Sequence, residues 1–398
     1  MPTSTWKQGQ LGDLLVPNRL IRSGTSESMG RQDGSVGQDF VALHRTLAQG
    51  GIGLAFTGHM YVESRGRYDP VQAGIHTDAM IPGLRAATEA VHESGGRIFA
   101  QLGHAGSQSV VSGVEPLSPS EVPNVMHGRH VAPASQDEIQ ETLKAYSAAA
   151  RRAVSAGFDG IHLHGANGYL ISQFRSPLTN RRNDFWGGSA EARENFPLAV
   201  ISAIRAELPE GMPLTMKIGV RDIVSEPGGL TSEDSIAGIG RLVEGGLDAI
   251  EVSSNLMSDY VSGSIRTYVA VDRRRAAEDL LIHRLNKAEE PEAYFLSDAQ
   301  AVRERLGVKL ILVGGMRRAT TIERILTDGD ADFISMARPL IRQPDFPNRL
   351  RAGEPIADCV SCNICLMHDG HSALRCWRTP RRRLLHHAFL RFTGKLKF

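Results

Sequence analysis

The stretch Gly160-Ile-His-Leu-His164-Gly-Ala-Asn167-Gly-Tyr169-Leu-Ile-Ser-Gln173-Phe174 starts as an apolar strand and ends as a loop rich in hydrogen-bond donors. A helical pattern precedes it. Ser135 and Glu138 read as a capping box, Ile139, Leu143, Tyr146, Ala150 and Ala153 share one face, and Gly157 stands where a helix should stop. Helix, glycine, strand and polar loop together make one repeating unit of an α/β fold. Eight such strands are predicted, over residues 19–23, 52–57, 97–102, 160–164, 214–218, 249–253, 309–313 and 332–336. Helical segments lie between them, several ending at glycine pairs such as Gly50 and Gly51 or Gly245 and Gly246. The expected architecture is a single (β/α)8 barrel over residues 1–355, with its site at the C-terminal ends of the strands. Two connections exceed ordinary loops, residues 105–134 after the third strand and 255–297 after the sixth. Both are expected to wall the site.

Composition removes several alternatives. The 398 residues carry 45 basic and 44 acidic side chains, so no overall field draws in nucleic acid, and a small-molecule substrate is the default. No run is long and apolar enough for a membrane span, and the polar start lacks a secretory signal. All four cysteines fall between Cys359 and Cys376, so they cannot staple the fold; a cytoplasmic setting is expected. A homo-oligomer is compatible with the sequence but leaves no mark on it.

The chemistry is expected where the fourth strand opens. His164 and Asn167 could grip one carbonyl oxygen and stabilise the charge that develops when hydride adds to a conjugated alkene. Tyr169 could deliver the proton. The same residues could instead satisfy buried backbone groups. His162, two residues deeper on the same face, reads as a satisfied core residue.

The run and its continuation, Ser176-Pro177-Leu-Thr179-Asn180-Arg-Arg182-Asn-Asp184-Phe-Trp-Gly187-Gly188-Ser189, resemble the substrate segment of the old yellow enzyme family, and the similarity extends over residues 18–348. The resemblance implies FMN as cofactor, NAD(P)H as electron donor and ping-pong reduction of an activated alkene. It places Ser23, Gly24, Thr25 and Ser26 at the flavin after the first strand, with Ser26 near O4. Gln101 would recognise the pyrimidine edge, and Lys217 would take the place of the usual arginine near N1 and O2. Gly314, Gly315, Ala337 and Arg338 fall where barrels bind phosphate, although a Gly-Gly pair alone would signal only a tight turn. Gly24, His59 and His162 depart from the family's usual residues, and His59 alters the expected shape of the cofactor pocket.

Residues 356–398 form an extension. Cys359, Cys362, Cys365 and Cys376 resemble the iron–sulfur segment of the trimethylamine dehydrogenase and 2,4-dienoyl-CoA reductase branch, which implies a 4Fe–4S cluster and an electron-transfer partner; zinc or unligated thiols are the alternatives. Trimethylamine dehydrogenase attaches its flavin to a cysteine near the first strand where this chain has Ser26, so FMN is expected to be noncovalent. Only 22 residues follow Cys376, too few for a second dinucleotide domain in this chain. The competing readings are an amine or demethylating dehydrogenase, which needs an aromatic bowl or carboxylate for its amine, and an electron-relay subunit. The basic tail from Arg378 to Phe398 is expected to be solvated or disordered and outside the barrel, with membrane or anion binding as the alternative.

Overall fold

The computed structural model describes residues 4–124, 129–224, 227–256, 292–359, 361, 365, 374–377, 382–393 and 395. Its centre is a closed ring of eight parallel strands: β1 Leu20–Arg22, β2 Leu54–Phe56, β3 Arg97–Gly103, β4 Gly160–Gly165, β5 Leu214–Gly219, β6 Ala249–Ser253, β7 Lys309–Leu312 and β8 Phe333–Met336. Each pairs with its sequence neighbours, and β8 returns to pair with β1 through Ile334 and Leu20, closing the ring. All eight overlap the runs expected from the sequence. Helices α1 Gln38–Gln49, α2 Ile81–Glu93, α3 Gln136–Ser155, α4 Asn195–Arg205, α5 Ser232–Glu244, α6 Leu296–Arg305 and α7 Ala319–Asp328 alternate with the strands.

The strands read as apolar runs because helices cover one face and the barrel interior the other. α3 shows how sequence sets an element. The Ser135 side chain accepts from the Glu138 backbone, the Glu138 carboxylate accepts in return from Ser135 N–H, and Ile139, Tyr146, Ala150 and Ala153 are wholly buried on one face.

A hairpin of Gly9–Leu11 and Leu14–Val16 closes the bottom of the barrel. Its Leu11 and Val16 pack on Ile21, Leu54, Phe56, Phe99, Ala249, Ile311 and Phe333. A side chain at position 9 would fall 2.3 Å from the Phe333 ring, so only glycine permits this approach. Truncating Phe333 to alanine would cost about 3–5 kcal/mol. With the lower barrel dry and apolar, the polar strand positions gather at the opposite, C-terminal end.

The connection after β3 carries a hairpin of Val122–Asn124 and Arg129–Val131. Most of the connection after β6, residues 257–291, lies outside the described residues. The tail is largely exposed, but part of it is ordered: helix α8, Arg382–Phe392, forms there, with Leu390 in a buried position and His386 stacked near Trp377.

Candidate active site

The loop following β1 is fixed from below by a buried ion pair. Arg22, the last residue of β1, places its guanidinium 2.9 Å from the Glu27 carboxylate and donates to the carbonyls of Phe56 and Thr25. Glu27 also accepts from Gly58 N–H at 2.6 Å, tying this loop to the one after β2. Burial pushes the Glu27 carboxyl up, but Arg22 and His44 outweigh it and hold the group down at about 2. Ser23, Gly24, Thr25 and Ser26 are thereby presented at the barrel mouth. Gly24 faces Gln101, and a Cβ there would lie 2.4 Å from Gln101 Oε1.

Gln101 is 1% exposed, and neither its amide oxygen nor its amide nitrogen has a partner. Burying a primary amide unpaired costs on the order of 2 kcal/mol or more, so a group with both a donor and an acceptor would complete its environment. The edge of an isoalloxazine ring meets that requirement.

Beside it lies a buried charge network. Lys217 on β5 donates to Ser23 Oγ at 3.0 Å and to Glu251 on β6 at 2.8 Å. Glu251 accepts further bonds from Ser335 on β8 and from His162 Nε2 at 3.1 Å, and His162 Nδ1 meets Thr215 Oγ1 at 2.8 Å. Burial alone would raise the Glu251 carboxyl, but Lys217 and His162 hold it below the usual carboxylate range. His162, stacked on Phe56 with ring centres 3.9 Å apart, is the satisfied core residue the sequence suggested. Glu251 is the residue that sequence reading missed. Its signal was a lone acid within Ala249-Ile-Glu-Val-Ser253, a strand otherwise suited to complete burial.

At the end of β4, His164, Tyr169, His59 and Tyr68 form one ring cluster. Tyr169 lies 4.7 Å from His164 and 4.8 Å from His59, while Tyr68 meets Tyr169 edge-on at 5.8 Å. Gly103 makes room, since a Cβ there would sit 3.1 Å from that of His59 and 3.6 Å from that of His164. Burial holds both imidazoles neutral; His59 and Lys217 reinforce this at His164. His164 Nδ1 and His59 Nε2 have no partner among the described residues. Asn167 takes the left-handed conformation at φ +60°, and its backbone N–H donates to Ser254 O. That turn aims the chain into the short helix Leu170–Arg175, which Arg175 anchors through Glu194, Ser235 and Gly219 O. Tyr68, whose phenol burial pushes up to about 12, was not singled out by any motif.

Gly314 and Gly315 both adopt positive φ, at +122° and +73°, which suits close backbone approach by an anion. Ala337 precedes the short helix Arg338–Arg342. The Arg338 guanidinium reaches Ser361 O at 3.4 Å, so part of it is engaged with the extension. Cys359, Cys365 and Cys376 are half-buried, and Cys362 lies outside the described residues. Among the described residues no three His, Cys, Asp or Glu side chains gather as a metal-holding group. Nor is any described helix long and apolar enough to cross a membrane.

Known proteins are similar to this chain in sequence and fold. The family model described as NADH:flavin oxidoreductase / NADH oxidase matches residues 9–356. The chain is 33% identical over 365 residues to an NADH oxidase of Thermoanaerobacter brockii, covering 90% of this chain and 52% of that protein. It is 34% identical over 365 residues to an NADPH dehydrogenase of Geobacillus sp. (strain WCH70), covering 92% and 98%. A solved structure of morphinone reductase in complex with tetrahydroNAD is similar with a TM-score of 0.70 at 26% identity, over 88% of this chain and 91% of that one. The chain thus spans about half of the T. brockii relative and nearly all of the Geobacillus one. With the family match running from the floor hairpin at residue 9 through the barrel to residue 356, this chain belongs to the NADH:flavin oxidoreductase / NADH oxidase family.

Proposed function

We propose that the chain is an FMN-dependent NAD(P)H oxidoreductase that reduces an alkene conjugated to a carbonyl. The observation that carries this reading is the neutral His164 imidazole beside the Tyr169 ring, 4.7 Å away, at the mouth of β4. When bound, FMN supplies a two-electron carrier between nicotinamide and alkene. Ser23, Gly24, Thr25, Ser26, Gln101 and Lys217 would hold its ring, with His59 shaping the pocket; Gly314, Gly315, Ala337 and Arg338 would hold its phosphate.

His164 and Asn167 then bind the substrate carbonyl, and their donors oppose the negative charge that gathers on its oxygen. A neutral imidazole can fill this role because it keeps one N–H to donate while carrying no charge that burial would penalise. Tyr169 holds the proton destined for the carbon next to the carbonyl. Nicotinamide and alkene share one opening, so they bind in turn.

An amine-oxidising activity has one observation in its favour, the Tyr68–Tyr169 pair beside His59, which could receive a cation. An anaerobic absorption spectrum separates the two. Flavin bands that bleach with NAD(P)H and return with cyclohexenone support the alkene reductase. Bleaching by an amine, no return with the enone, and iron in the same sample would replace it with a cluster-linked dehydrogenase using Cys359, Cys362, Cys365 and Cys376.

A further inference from the structure

Six large hydrophobic side chains are exposed among the described residues, and three of them, Leu385 at 77%, Phe389 at 58% and Phe392 at 93%, belong to helix α8. Their spacing, i, i+4 and i+7, puts them on one face. Leu390, only 8% exposed, lies on another side and seats the helix against the protein, with His386 stacked near Trp377. The apolar stripe is therefore turned outward from a helix that is otherwise anchored.

The charge in the tail sequence that carries the stripe has one sign. Between Arg378 and Phe398 there are seven Lys and Arg and no Asp or Glu, whereas the whole chain has a net charge of only +1, so the remainder is acidic. Arg382 lies exposed at the start of α8, and Lys395 lies exposed just past its end. A narrow Phe and Leu stripe flanked by cations is the composition of a helix that lies in a lipid interface, its rings among the acyl chains and its cations at anionic headgroups. A second copy of the chain fits less well, because joining two such faces would bring fourteen cations together with no counter-charge from either tail.

We propose that α8 docks this protein on an anionic membrane surface. The helix lies on the bilayer and does not span it. The stripe supplies insertion, and the basic residues select the leaflet by charge.

The test is co-sedimentation of the intact holoenzyme with vesicles of phosphatidylcholine alone or mixed equally with phosphatidylglycerol. The protein is expected to pellet with the mixed vesicles only, and high salt should release it. Replacing Phe389 and Phe392 together by serine should weaken partitioning about tenfold or more. Arg382→Glu with Lys395→Glu should weaken it comparably, and both pairs should leave flavin content and nicotinamide oxidation unchanged. Absence of binding to the mixed vesicles would overturn the proposal. So would binding that the phenylalanine pair does not affect, which would make the tail a mere polycation. Concentration-dependent self-association in sedimentation velocity, abolished by the same pair, would assign the stripe to a second copy instead.

Discussion

The Lys217 ammonium lies 2.8 Å from the Glu251 carboxylate, with both groups almost fully withdrawn from water. Neither is tolerable there alone. Glu251→Leu should destabilise the protein by about 3–5 kcal/mol by isolating a buried cation, and adding Lys217→Met should recover much of that loss. Urea unfolding of the two variants checks this. A single variant within about 1 kcal/mol of the parent would show that the pair does not hold the site together.

The Arg22–Glu27 pair makes stability depend on acid. The folded-state pKa of Glu27, at about 2, lies below its ordinary value of 4.5. Its stabilising contribution, about 3 kcal/mol, is therefore complete above the ordinary value and lost as pH falls toward the folded one. Glu27→Gln should flatten this part of the stability curve measured by denaturant titration at successive pH values. An unchanged slope would remove Glu27 from the account.

Gln101 predicts opposite effects on two states. Gln101→Leu removes an unpartnered buried amide, so the flavin-free protein should gain about 1–2 kcal/mol. The same change should weaken FMN binding about tenfold, which fluorescence titration of the stripped protein would read. Equal affinity in both proteins would separate Gln101 from the cofactor.

His164→Ala should lower enone turnover about a hundredfold while sparing flavin reduction by NAD(P)H. Stopped-flow measurement of each half-reaction distinguishes these steps. Tyr169→Phe should likewise slow only the alkene step, and slowed nicotinamide oxidation in its place would contradict proton delivery by Tyr169.

The barrel was legible because it rests on local signals repeated eight times, each readable within about twenty residues. α3 is the clearest, since its cap, apolar face and stop are all adjacent in sequence. The β4 loop was legible for the same reason. The Glu251 network was not, because it joins residues from four strands, and only closure of the barrel brings Ser335 and His162 to one carboxylate. Tyr68 was hidden in an irregular loop without periodicity. The basic character of the tail was legible, but the helix in it was not, because its basic residues outweigh an exposed stripe of only three apolar ones.

The hairpin beneath the barrel also bears on how the molecule is made. Gly9 rests on the Phe333 ring, and Thr5 donates to Glu323 at 2.8 Å, so residues of the floor hairpin and the segment before it meet partners more than three hundred positions later. Contacts of such sequence separation form slowly, since a long loop must close before they contribute anything. Until β8 has been made, Leu11 and Val16 lack the Phe333 ring they pack on and β1 lacks one of its two neighbours, so apolar surface and a strand edge stand open to aggregation during synthesis.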